Sequence, residues 1–64
     1  MTLQAITAQA YYERAKLLER NRDKNVQRDA LRDYQKYLEL GGDQAPNRAQ
    51  AEQKVRDLKK RLGL

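Results

Sequence analysis

The chain has 64 residues, 36% of them charged, a net charge of +5, and no Cys, His, Phe or Trp. That inventory excludes a zinc site, a disulfide framework, a thiol nucleophile and an imidazole base, so neither an enzyme nor a bound cofactor is expected. Nine Leu, one Ile and two Val leave a thin core, and a chain this short buries only about 60% of its unfolded surface.

The opening segment, Met1 to Ala10, has no Lys or Arg and is interrupted by Gln and Thr, so it lacks the charged start and apolar centre of a secretory signal. No run approaches the roughly 20 apolar residues that cross a bilayer. A soluble, non-inserted, cytoplasmic piece is the default expectation, open to revision if it was cut from a longer protein.

Three stretches rich in Ala, Leu, Gln, Glu, Lys and Arg predict three helices, over about 3–22, 26–40 and 46–62. The first begins near Thr2 or Thr7 and ends at Asn21-Arg22-Asp23-Lys24-Asn25, with Asn25 expected to cap the second. Its apolar positions, Ile6, Ala10 and Leu17 with Tyr11, Ala15 and Leu18, are assigned to adjoining lines of one buried face. The second helix carries Ala30, Leu31, Tyr34, Tyr37 and Leu38 at helical spacing and stops at Gly41-Gly42. The third is expected to use Pro46 in its first turn, to bury Ala51, Val55, Leu58 and Leu62, and to stop at Gly63. Connections of about five residues favour antiparallel neighbours, so the fold class is all-α: an αα-hairpin closed by a third helix within one small domain, 1–64.

Ala30, Tyr34 and the exit Leu38-Glu39-Leu40 resemble the second helix of a tetratricopeptide repeat, and Tyr11, Ala15 and Leu18 follow the first helix of that family more loosely. Two departures stand in the second helix: Tyr37 occupies a position usually filled by Ala, and Gly42 replaces a Pro. In the first, Arg14 occupies a position usually apolar. The run from Gly41 to Leu62 looks like the helix that closes many bacterial arrays of these repeats. The resemblance covers about residues 8–40 as one repeat and 45–62 as the closing helix. It implies a non-catalytic scaffold for protein–protein interaction. Because stacked repeats need about three units to bury a continuous core, it also implies either the end of a longer array or completion by another chain.

The carboxylates alternate with bases, and i,i+3 or i,i+4 pairs are expected for Glu13 with Lys16, Asp29 with Arg32, Asp33 with Lys36, Glu52 with Arg56 and Asp57 with Arg61. That interleaving argues against a phosphate-tracking surface, although Arg28, Arg32 and Lys36 form a cationic row and Lys59-Lys60-Arg61 a basic tip. On the first helix, Gln9, Tyr12, Lys16 and Arg20 fall on one line. They are the expected partner-binding residues: a rigid aromatic and two cations suited to an acidic or carboxylate-ended peptide, with the reading that Tyr12 is partly buried beside two solubilising bases equally open. A second candidate surface is the apolar stripe of Leu3, Ile6 and Tyr11, which would meet a preceding repeat or a second copy of the chain. A small basic helical protein that binds nucleic acid is the second reading, and a helical self-assembly module the third.

Overall fold

A computed structural model describes the backbone of residues 3–42 and 45–64, with side chains described over 8–42 and 45–64. The helices are α1 (Leu3–Leu18), α2 (Lys24–Gly41) and α3 (Arg48–Leu62), and among the described residues there are no strands. Leu3, Ile6 and the expected starts at Thr2 and Thr7 have side chains outside the described residues.

Helix α1 stops four residues short of its expected end. After the Glu19 N–H donates to the Ala15 carbonyl, the next two bonds tighten to Arg20 N–H to Leu17 carbonyl and Asn21 N–H to Leu18 carbonyl. Asn21 then commits to the turn: its side-chain oxygen accepts from the Asp23 N–H at 2.8 Å, and its carbonyl accepts from the Gln27 side chain at 2.8 Å. The cap of α2 is Asp23 rather than Asn25. The Asp23 carboxylate accepts from the Asn25 N–H at 2.8 Å, and an ionised carboxylate at a helix start gains from the dipole as well as from the bond.

At the other end of α2, Gly42 has φ of 58° and its N–H returns to the Leu38 carbonyl, a conformation that carries a penalty for any residue with a Cβ. Pro46 serves a turn instead of the first turn of α3. The Arg48 N–H donates to the Ala45 carbonyl at 3.1 Å, which places Pro46 at the second turn position, where its fixed φ is favourable. Helix α3 therefore starts two residues later than expected. It closes with the Gly63 N–H to the Lys60 carbonyl and the Leu64 N–H to the Lys59 carbonyl, the paired bonds of a Schellman ending.

Helix α2 occupies the middle, packed on one side by α1 and on the other by α3. Tyr12 meeting Tyr34 and Tyr37, Arg14 meeting Asp33, and Asn21 meeting Gln27 make α1 and α2 antiparallel. The Asn47 N–H donating to the Tyr37 hydroxyl at 3.0 Å fixes the start of α3 beside the end of α2, so α3 runs back along α2.

The core consists of Tyr12, Ala15, Ala30, Leu31, Tyr34, Tyr37, Ala51 and Leu58, with Leu18, Leu38, Val55 and Leu62 packed against it. One alanine from each helix lets the backbones approach, and three tyrosines fill the remaining volume. Tyr12 sets its ring edge-on to Tyr34 at 5.8 Å and tilted against Tyr37 at 4.9 Å, separations at which aromatic pairs attract beyond their buried area. Ala10 and Leu17 depart from the expected buried face. Both are exposed, Leu17 at 64%, because α1 has a neighbour on one side and their line lies nearly opposite Ala15.

Candidate functional site

The four residues expected to form a binding row do not present a common polar surface. Tyr12 is buried at 8% exposure between the rings of α2. Its aromatic face is therefore part of the core, with Lys16 Nζ 5.2 Å from the ring centroid. Gln9 donates to Glu13 at 2.9 Å and Lys16 pairs with the same carboxylate at 3.3 Å. The Gln9 bond first, and Lys16 second, hold the Glu13 carboxyl below its usual value. Arg20 is exposed but lies beyond the end of α1, so it leaves the line of the other three.

The seam between α1 and α2 has a different constellation. Asp33 sits on the buried side of α2, its side chain 4% exposed, and receives Arg14 Nε at 2.6 Å and Arg14 Nη2 at 2.8 Å. This two-pronged geometry suits the planar guanidinium. The hydrogen bonds to Asp33 and then its charge raise the Arg14 pKa above the usual arginine value. The same guanidinium lies 5.4 Å from the centroid of the half-buried Tyr11 ring. Arg14 thus reaches across the helix pair, leaving Lys36 to pair with Glu39 at 3.8 Å instead of Asp33.

Around this pair runs an open groove. One depression of about 360 Å³ is lined by Tyr11, Arg14, Arg32, Asp33, Lys36 and Glu39 among others. A second, also about 360 Å³, shares Arg14, Arg32 and Asp33 and continues past Leu18 and Asp29. Arg32 is exposed and pairs with no carboxylate among the described residues. An anionic group entering the groove would meet the exposed Arg32 first, with Arg14 and Lys36 already engaged by Asp33 and Glu39 and the Tyr11 ring as an apolar wall.

Glu19 escapes sequence reasoning altogether. It accepts the Tyr34 hydroxyl and pairs with Lys54 at 3.3 Å, so residues from the end of α1, the middle of α2 and the middle of α3 meet at one carboxylate. Burial first, and the bond to Glu19 second, push the Tyr34 phenol upward from its ordinary value. No local spacing announces this contact, since the partners are 15 and 35 residues away.

The remaining expected pairs are redistributed. Glu52 takes Arg48 at 3.1 Å rather than Arg56, and Asp57 accepts from Gln53 at 2.9 Å rather than pairing with Arg61. No group of His, Cys, Asp and Glu able to hold a metal ion occurs among the described residues. None of their helices is long and apolar enough to cross a membrane. No family model, curated protein or solved structure matches the chain.

Proposed function

We propose that the chain is a non-catalytic protein–protein interaction module, a tetratricopeptide-like hairpin with a covering helix, that holds an acidic segment of a partner protein in the α1–α2 groove. The observation that carries this reading is the open groove in which Tyr11, Arg14, Arg32 and Lys36 converge. Recognition of a carboxylate by cations beside an aromatic wall is an established mode of peptide capture. The burial of Ala15, Ala30 and Tyr34, the positions on which the repeat resemblance rests, supports the scaffold half of the reading.

The test is a fluorescence titration with a short Asp/Glu-rich peptide ending in a free carboxylate. Arg32→Glu with Lys36→Glu is expected to weaken binding by at least about tenfold, equivalent to about 1.4 kcal/mol. Lys16→Glu with Arg20→Glu, on the row first expected to bind, should change it far less. The reverse order would move the site to the outer side of α1, and no binding by the unaltered chain would remove the reading.

A second reading, self-assembly, is favoured by one observation, the 64% exposure of Leu17 on the uncovered side of α1. Sedimentation at increasing concentration decides it. A mass that rises with concentration, and no longer does so in Leu17→Glu, would establish self-association, whereas a monomer throughout would dismiss it.

A further inference from the structure

Half of this protein's 14 cations are gathered at one end. From the Tyr37–Asn47 contact, α2 runs back about 20 Å to Lys24 and α3 runs forward about 21 Å to Arg61, at 1.5 Å per residue. The two ends therefore finish at one level, beside the turn that joins α1 to α2. That places Arg20, Arg22, Lys24 and Arg28 next to the run Lys59-Lys60-Arg61, and all of these side chains are exposed. None pairs with a carboxylate among the described residues. The nearby acids are Asp23, Asp29 and Asp57, with Glu19 already matched by Lys54, so seven cations face three carboxylates. The interleaved carboxylates thus offset fewer than half of the bases at this end.

Helix electrostatics account for only part of the cluster. Lys59, Lys60 and Arg61 occupy the last turn of α3, where the dipole favours cations. Lys24 lies in the first turn of α2 and Arg28 one turn further on, and that first turn has no acidic residue. There the dipole disfavours positive charge, so Lys24 stands against the helix field beside the Asp23 cap, and Arg28 lies beyond the turn over which that field acts.

From this placement we infer that the basic end is a docking surface for the phosphate backbone of a double-stranded nucleic acid, bound without regard to sequence. Charge complementarity selects the polyanion. The absence of an exposed aromatic selects the duplex: Tyr12, Tyr34 and Tyr37 are buried, and Tyr11 packs beside Arg14 on the α1–α2 seam. Single strands are held largely by bases stacked on aromatic rings, and protein partners are held by aromatic and Arg anchors seated in packed pockets. This end has no aromatic anchor, and its open depression of about 410 Å³ is lined mainly by polar and charged side chains, Gln53, Arg56, Asp57, Lys59 and Lys60, with Leu64. The molecule measures 37 × 20 × 15 Å, so its end spans up to 20 Å, a length over which a duplex presents about twelve phosphates. The surface adjoins the α1–α2 groove at Asp29 but uses none of the groove's cations, so its failure would leave the peptide reading untouched.

The experiment is fluorescence anisotropy of the full chain with a labelled duplex of about 20 base pairs, from about 50 to about 200 mM salt. If about five phosphates are neutralised, the logarithm of the association constant should fall against the logarithm of salt with a slope of about −4 to −5. Arg22→Glu with Arg28→Glu, and separately Lys59→Glu with Lys60→Glu, should each weaken binding at least about tenfold at low salt and flatten the slope by about 2. Among the described residues these side chains make no internal bonds, so circular dichroism should keep its helical form, with at most slight fraying at the end of α3 where the dipole favours cations. Gln50→Glu, at the opposite end, should bind as the unaltered chain does. The inference is overturned if the duplex is not bound at low salt or if the basic-end variants bind normally. It is equally overturned if a single strand of the same length, an Asp/Glu-rich peptide that loses binding with the same variants, or an anionic lipid vesicle is held more tightly than the duplex.

Discussion

Arg14 and Asp33 show how one side chain can alter the charge pattern of a whole surface. Asp33 is nearly inaccessible and depends on Arg14 for both of its oxygens. Because Arg14 is mostly exposed, solvent screens part of the attraction. The dominant cost of Arg14→Ala is therefore the carboxylate left behind, about 1–2 kcal/mol by urea unfolding. Arg14→Lys should recover little, because an ammonium cannot make the two-pronged contact. Asp33→Leu in the Arg14→Ala background should recover most of the loss, since no buried charge then remains. An equal loss in the double variant would show that the contact matters for packing alone.

Tyr34 makes a second prediction at this scale. Its phenol is raised in the folded protein, so below pH about 10 folded and unfolded chains both retain the proton and the contribution is complete. Above that pH the unfolded chain releases its proton while the folded one does not. Stability then falls by up to about 1.4 kcal/mol per pH unit. Tyr34→Phe should cost about 1 kcal/mol at neutral pH through the lost bond to Glu19. It should also flatten the alkaline decline in a series of unfolding curves. A decline of unchanged steepness would assign the effect to other groups.

Among the elements, the helix ends offer the sharpest tests. Asp23→Ala should destabilise the protein by about 1 kcal/mol, whereas Asn25→Ala should be nearly neutral, because the cap bond comes from the Asp23 side chain. Gly41→Ala would normally strengthen a helix, but here a new Cβ would stand 2.8 Å from the Ala45 Cβ. The chain leaving α2 would have to shift, so a lower thermal midpoint is expected where propensity alone predicts a higher one. A raised midpoint would show that the Ala45 turn yields freely.

The same ends mark how much of the fold was legible in the sequence. Apolar spacing located α2 and α3 and the buried set Ala30, Tyr34, Tyr37, Ala51 and Leu58, because each lies on a helix face that has a neighbour. It misplaced Ala10 and Leu17, since periodicity marks a face without saying whether anything covers it. Asp23 and Asn25 are both cap-forming types, and Pro46 suits the first turn of a helix as well as a turn, so residue type alone does not choose between the positions. The candidate groove is the least legible part. Helical spacing put Tyr12 in line with Lys16, but only the packing of α1 on Tyr34 and Tyr37 turns that ring inward. The groove at Arg14, Arg32 and Asp33 joins residues 18 and 19 positions apart, which no local pattern reports.

At the scale of the whole molecule, the middle position of α2 explains both proposed surfaces. With α1 and α3 on either side of it, α1 keeps an uncovered side and an open seam with α2, while the antiparallel course of the three helices collects unpaired cations at one end. Everything therefore rests on the tyrosine-filled contact that sets α1 against α2. Nuclear magnetic resonance of the isolated chain tests that contact directly through cross-relaxation between the Tyr12 ring and the rings of Tyr34 and Tyr37, and between the methyl groups of Ala15 or Ala51 and the Tyr34 ring. The account predicts strong cross-peaks from Tyr12 to both partner rings, with dispersed, ring-shifted alanine methyl signals. Random-coil methyl shifts, or a Tyr12 ring without contacts to Tyr34 and Tyr37, would contradict it.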